Sequence, residues 1–312
     1  MKISIITCTF NRKKKLIRNI KSVLDQNFSD LEHFIIDDGS TDDTLNEIKK
    51  LNIDYLNVIS LNKNSGQPAA LLNSNIFNLI NGEIYFLLDS DDFLMPGALQ
   101  KIKVDAKNYF SLNKQLISIN YSYEENNQSI SGYSTFNSKD IFKDHYARNL
   151  TNKGFKDYLS IKNKNYLSQQ KKYFNKPEDW YLSYYHVCAK NDFQEIFTNE
   201  KIYYMEFSDD TVTRGLNIEK YSKWSLNTRK VVYEEYKHLM GQMYKNYTIR
   251  SLFFNYLVNS GNNINKFKLI FNEKKFFICN FHLLIISILS LMTPAYLILK
   301  IKKFLKKKKK KR

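Results

Sequence analysis

Cysteine is scarce in this chain: Cys8, Cys188 and Cys279 are odd in number and far apart. Such spacing supports neither a disulfide framework nor a zinc cluster, and it suits a reducing compartment. A secretory leader is not expected, because Met1-Lys2 runs at once into Ile3-Ser4-Ile5-Ile6, which reads as a strand. Thr7–Arg12 holds no glycine, so a nucleotidyltransferase with a Gly-rich phosphate loop near its start is disfavoured. No nucleic-acid reader motif accompanies the net charge of +17, and no convincing internal repeat is visible. Nucleic acid is therefore not an expected partner.

The positive charge is also unevenly spread. Ten basic residues and no acid lie between Lys300 and Arg312, so the rest of the chain is only mildly basic. An apolar content of 43 % is ample for a packed core, and 312 residues can hold one large domain or two ordinary ones.

The first hundred residues alternate between strand and helix patterns. Strands are expected at Ile3–Ile6, Phe34–Ile36, Leu56–Ile59 and Ile84–Leu88. Helical spacing runs through Leu16, Ile17, Ile20, Val23 and Leu24, then through Leu45, Ile48 and Leu51. The second helix is expected to start near Ser40 or Thr41, with Asp42 and Asp43 in its first turn. A third opens at Pro68 and ends before Gly82. This order calls for a mostly parallel α/β sheet with helices on both faces, whose ligands bind beyond the carboxyl ends of the strands. Later residues are less regular. Leu116–Ile119 reads as a strand, 149–175 as a mobile loop or helical insertion, Tyr181–Val187 as a helix, and 217–273 as amphipathic helix.

Polar clusters converge on that edge of the sheet. Asp89-Ser90-Asp91-Asp92 follows the apolar run Ile84-Tyr85-Phe86, where an unpaired buried charge would be costly. Asp-x-Asp emerging there can hold one hard cation shared with substrate phosphates. Asp91 is the expected direct ligand, and Asp89 reaches the metal, its bound water or a ribose. Asp37-Asp38-Gly39-Ser40 opens a helix, where acids repel phosphate; Asp38 either accepts a uracil imide N–H or caps the helix. Thr9, Phe10 and Asn11 leave the first strand and are candidates to line a nucleobase pocket. Arg12 contacts phosphate or an acidic neighbour. Gly66, after Asn64 and Ser65, permits close backbone approach to a nucleotide or serves a turn.

Together the Cys-Thr-Phe-Asn-Arg run, the Asp-Asp-Gly-Ser-Thr-Asp-Asp-Thr run, the Asn-x-Gly loop and Leu-Leu-Asp-Ser-Asp-Asp resemble glycosyltransferase family 2. The resemblance implies a GT-A fold, a UDP-sugar donor, a Mg or Mn ion and inversion at the anomeric carbon. It places Thr9, Asp38 and Asn64 at nucleotide-binding positions, with Ser90 between the metal-motif acids Asp89 and Asp91. It also implies a Glu-Asp pair that supplies the base, matched by Glu178-Asp179-Trp180. Asp179 is favoured, with Glu178 next; a helix-cap acid pair after Pro177 is the other reading. A departure lies at Tyr203-Tyr204-Met205-Glu206-Phe207, which lacks the His or Arg-x-His such proteins often carry there. The expected organisation is a GT-A domain over 1–215, with a nucleotide-sugar half (1–112) and an acceptor half (113–215). A helical region (216–275) and a membrane-associating tail (276–312) follow.

Leu283–Leu299 is uncharged for seventeen residues, is broken by Pro294 and is followed by the basic run. That is at the lower limit for a span and suits a re-entrant or interfacial helix on an anionic cytoplasmic leaflet. With the segment Ile202–Gly215 it resembles family members that glucosylate an undecaprenyl-diphosphate-linked glycan. The expected place is therefore the cytoplasmic face of a bacterial inner membrane. Lipo-oligosaccharide or capsule synthesis, and a non-catalytic nucleotide-sugar-binding scaffold, are the alternatives.

Overall fold

Nine strands form one sheet among the described residues of a computed structural model. It describes residues 1–124, 133–137, 158–206 and 228–242, and the single positions 245, 246, 248, 249 and 252. The first half alternates as expected: β1 (Ile3–Thr9), α1 (Lys13–Leu24), β2 (Leu31–Asp37), α2 (Thr44–Lys50), β3 (Leu56–Ser60), α3 (Gln67–Asn73), α4 (Ile76–Leu79) and β4 (Ile84–Leu87). Then come β5 (Phe93–Leu94), α5 (Ala98–Leu112), β6 (Leu116–Tyr123), β7 (Tyr133–Asn137), β8 (Leu159–Asn163), α6 (Lys164–Tyr173), α7 (Asp179–Lys190) and β9 (Gln194–Tyr204).

The strand order is β3-β2-β1-β4-β8-β6-β9-β5, with β7 pairing to β9. Strands β3, β2, β1 and β4 are all parallel. Beyond β4 the sheet is mixed: β8 runs antiparallel to both β4 and β6, whereas β6 and β9 are parallel. The expected parallel sheet thus holds for the N-terminal half.

Apolar residues of β1 alternate between two layers. Ile3 and Ile5 join Val23, Phe86, Leu99 and Ile102 on one side. Ile6 joins Phe34, Leu71, Phe77 and Tyr85 on the other. On α1, Leu16 and Ile20 recur one turn apart and pack with Ile35 and Ile48. Each such side chain contributes roughly 1.5–3 kcal/mol by leaving water.

Three local expectations shift. Helix α2 starts at Thr44, because Asp42 accepts from the Thr44 amide at 3.1 Å and holds the preceding residues in a turn. Asp42 and Asp43 therefore precede the helix. The single helix expected from Pro68 breaks into α3 and α4 at Asn75, whose φ of 52° is left-handed, a conformation Asn tolerates better than most side chains. Within the irregular stretch, the described residues from 158 onward are β8 and α6.

The chain divides into two units: Met1–Ile141 with Arg148–Ser208, and Phe142–Ala147 with Asp209–Arg312. In the second, a helix over 228–236 buries Val232, Tyr233 and Tyr236. Among the described residues no helix is long and apolar enough to cross a membrane. The apolar run 283–299 and the basic tail lie outside the described residues.

Candidate active site

Parallel register sets the site. Thr9 pairs with Asp37, and Asp37 with Ser60, so β1, β2 and β3 end level. Ile6 pairs with Leu87, and Leu88 N donates to Ile6 O at 3.0 Å, so the acidic loop leaves β4 beside the end of β1. Thr9, Asp38 and Asp89–Asp92 therefore lie at one edge.

Thr9 is 3 % exposed, and its hydroxyl is buried with no hydrogen-bond partner. An unmet buried hydroxyl costs about 1–3 kcal/mol, so it marks a place where a ligand group would be stabilising. The Asp38 amide donates to Thr9 O at 2.9 Å. The buried Asp38 carboxylate accepts from the amides of Ser65 (3.0 Å) and Gly66 (2.7 Å) and from the Ser65 hydroxyl. It thereby folds the Asn64-Ser65-Gly66 loop against the strand ends and leaves Asn64 exposed. The φ of Gly66 is 87°, and a Cβ on Gly39 would lie 2.7 Å from the Lys63 backbone, so both turns require glycine.

Asn11 ties two loops together. Its amide donates to Ser40 Oγ at 2.9 Å, and its side-chain oxygen accepts from the Thr41 amide at 2.8 Å. Phe10 beside it is half-buried. Cys8 closes the wall, its thiol pushed up by burial and by the nearby charges of Asp89 and Asp38. It stays protonated and inert.

The acidic loop is clamped by α1. Asn19 is fully buried, and its Nδ2 donates to Asp89 O (3.0 Å) and Asp92 O (2.9 Å). Arg18 donates to Asp91 O at 2.7 Å. Ser22 accepts from the Leu94 amide at 3.0 Å, and Gln26 donates to Met95 O at 3.0 Å. Beneath the loop, the Thr7 hydroxyl donates to Leu88 O at 2.8 Å and lies 2.9 Å from His33 Nε2. Since Thr7 spends its proton on Leu88, His33 is the donor between the two. Burial drops His33 from its ordinary 6.5 to about 3, so it is neutral.

The acids differ in environment. Asp89 is exposed and accepts from Gln67 Nε2 at 3.0 Å. Ser90, Asp91 and Asp92 are buried. Asp91 Oδ2, expected on a metal, lies 2.5 Å from Arg12 Nη1. Asp92 Oδ1 accepts from the Glu206 amide at 3.1 Å, and the Glu206 carboxylate pairs with Lys15 and Arg18. An all-oxygen donor set of carboxylates suits a hard cation such as Mg or Mn, and a cationic group already sits at Asp91. Among the described residues no group of three or more His, Cys, Asp or Glu forms a complete cage.

The expected base is placed differently. Asp179 opens α7, and its Oδ2 accepts from the amides of Asn175 (3.3 Å) and Lys176 (3.2 Å). Glu178, one residue before, is exposed. The helix is held firmly: Trp180 stacks on Phe77 at 5.9 Å, and Tyr184 OH donates to Glu195 at 2.7 Å. Burial raises Glu195, opposed by the Tyr184 and Ser118 hydrogen bonds.

Asn19, Arg18 and Glu206 were not expected at the site. Asn19 carried a signal: a polar residue in the buried stripe Leu16, Ile20, Val23. Glu206 carried none, since its partners Lys15, Arg18 and Asp92 are far away in sequence.

The profile of glycosyl transferase family 2 matches residues 4–155. A Campylobacter jejuni GalNAc(5)-diNAcBac-PP-undecaprenol beta-1,3-glucosyltransferase is 38 % identical over 102 residues, covering 32 % of this chain and 33 % of that protein. The match thus spans about a third of that relative's length. Staphylococcus aureus TarS 1-349 in complex with UDP-GlcNAc superposes with a TM-score of 0.55 at 16 % identity, over 85 % of this chain and 76 % of that one. The mannosyltransferase PcManGT from Pyrobaculum calidifontis, in complex with GDP-Man and Mn2+, gives 0.53 at 11 % identity, over 97 % and 80 %. At such identities the two structures show a shared GT-A fold. The strand ends that carry Thr9, Asp38 and Asp89–Asp92 thus lie within the stretch that matches the glycosyl transferase family 2 model.

Proposed function

We propose that this protein is an inverting, metal-dependent glycosyltransferase that moves a hexosyl group, glucose in the first instance, from a UDP-sugar to a lipid-linked oligosaccharide. The observation that carries this reading is the unmet Thr9 hydroxyl at the same strand edge as Asp38 and the Asp89–Asp91 carboxylates. A nucleobase would meet the hydroxyl, and Asp38 and the Asn64–Gly66 loop would flank it. Asp89 and Ser90 would face the ribose and diphosphate.

In the transfer, an acceptor hydroxyl oxygen attacks the anomeric carbon from the face opposite the diphosphate. The C1–O bond breaks, and its electron pair leaves with UDP. Asp179 takes the hydroxyl proton as the new bond forms, with Glu178 the second candidate. A divalent cation held by Asp91 and Asp89 would supply neutralisation of the departing diphosphate's charge.

The acceptor reading is supported by the likeness to the Campylobacter undecaprenol-linked glucosyltransferase and by the apolar and basic C-terminal segment. An undecaprenyl-diphosphate-linked glycan is confined to a membrane, and an enzyme held on the same anionic surface meets it at a raised effective concentration. The cytoplasmic leaflet of the inner membrane fits the basic tail.

Purified protein incubated with a panel of nucleotide-sugars and extracted lipid-linked glycans tests the proposal. Hexose transfer from a UDP-sugar that depends on Mn or Mg and stops with chelator is expected. Donor binding without turnover on any acceptor would instead make the protein a nucleotide-sugar-binding scaffold.

A further inference from the structure

The cation at Asp91 is part of the chain itself. Arg12 Nη1 lies 2.5 Å from Asp91 Oδ2, with side chains 17 % and 11 % exposed. This is the carboxylate assigned above to the metal, and it is mostly shielded from water. Two positive groups cannot share one side of a carboxylate oxygen without strong repulsion.

The main chain on both sides of that contact is held. Arg12 caps α1 and accepts from the Leu16 amide through its carbonyl at 2.9 Å. Its neighbour Asn11 is bound to Ser40 and Thr41, so the Arg12 backbone is held in place. On the other side, Arg18 holds the Asp91 carbonyl, and Asn19 holds the carbonyls of Asp89 and Asp92. The Asp91 carboxylate can therefore change partner while its main chain stays put. The movement needed is a side-chain rotation of Arg12.

We infer that Arg12 is a positioning residue that occupies the cation's place on Asp91 in the donor-free protein and is displaced when a divalent cation binds. The inference rests on the metal reading of Asp91 given above. The pair keeps a shielded carboxylate neutralised before donor arrives, because a buried acid without a partner is strongly disfavoured. It also sets an order: cation binding is weak until the diphosphate adds its own oxygens and offers the released guanidinium a new anion, for which the planar fork is suited. Cation and Arg12 then oppose each other at one oxygen, a coupling whose usual size is about 5–150-fold.

The test uses Mn2+ alone, with no nucleotide, followed by the electron paramagnetic resonance signal of free Mn2+ in the full-length protein. Arg12→Gln is expected to bind Mn2+ about tenfold tighter than wild type, and Asp91→Asn to lose that site. An affinity in Arg12→Gln equal to or weaker than wild type, with Asp91→Asn still losing the site, overturns the role of Arg12 and leaves the metal reading standing. Absence of a Mn2+ site in wild type and in Arg12→Gln, with transfer insensitive to chelator, removes the metal reading and this inference together. Should Arg12→Gln fail to fold by circular dichroism, Arg12→Lys carries the test: its point charge lacks the fork, so tighter Mn2+ binding than wild type supports the inference and unchanged affinity overturns it.

Discussion

Strands β3, β2, β1 and β4 and strands β8, β6, β9, β5 and β7 share one sheet and follow different pairing rules. In the first group every neighbour is parallel, every strand points its carboxyl end to the same edge, and the polar residues after those ends meet. In the second, β6 and β9 are parallel and the other described pairs are antiparallel, so strand ends do not converge. There the candidate base depends on a helix, α7, whose place is set by aromatic stacking and by Tyr184 on Glu195. The contrast teaches that parallel topology assembles a ligand site by register alone, whereas the mixed half must position its chemistry through side-chain packing.

The largest test of this contrast lies in the mixed half. Asp179→Asn is expected to bind UDP-sugar normally and to lower kcat about 10²–10⁴-fold, the usual worth of a positioned general base. If kcat holds while the melting temperature falls, the two amide bonds to Asp179 are purely a cap, and the mixed half contributes scaffold. Next comes Asp91→Ala in the parallel half, with transfer expected to drop about 10²–10³-fold through lost charge stabilisation. Retained activity would mean that convergence at the strand edge does not put Asp91 on the diphosphate.

A smaller effect probes how that edge is held. Asn19→Ala leaves the carbonyls of Asp89 and Asp92 without their buried donor and should cost about 1–3 kcal/mol in denaturant unfolding, with kcat falling alongside. An unchanged unfolding midpoint would show that the strand register suffices without the α1 clamp.

How much of this was legible in sequence follows the same divide. The strand–helix alternation over the first hundred residues, the convergence of Thr9, Asp38 and Asp89–Asp92, and the need for Gly66 all follow from local pattern, because parallel units place loops predictably. The break at Asn75 escaped, since one left-handed residue does not disturb an apolar period. Strand β8 escaped because it is short and Asn163 breaks its alternation; Lys162 lies over the Tyr166 ring at 4.5 Å, a contact made only in the fold. The Arg12–Asp91 pair bridges 79 positions and depends on β1 lying next to β4, so sequence offered only an unspecified acidic neighbour.

The smallest expected effect is on pH dependence. The folded His33 pKa of about 3 lies below its ordinary 6.5, so between those values the unfolded chain binds more protons. Stability contributed by neutral His33 is therefore present above 6.5 and is lost as pH falls toward about 3. Thermal melts of wild type and His33→Gln at neutral and mildly acidic pH should show the shallower acid loss in the variant. Equal slopes would remove His33 as the acid-sensitive support under the Leu88–Asp89 turn.

Membrane attachment is a separate matter of the tail: removing 283–312 should abolish sedimentation with anionic vesicles, and unchanged sedimentation would refute anchoring there. The central claim, that the parallel strand edge is the nucleotide-sugar donor site, is tested most directly by calorimetric titration of UDP with and without Mn2+. The account predicts that wild type binds UDP more tightly with Mn2+, that Asp91→Asn loses the Mn2+-dependent gain, and that Asp38→Ala weakens binding in both conditions. UDP affinity unchanged in both variants would contradict it.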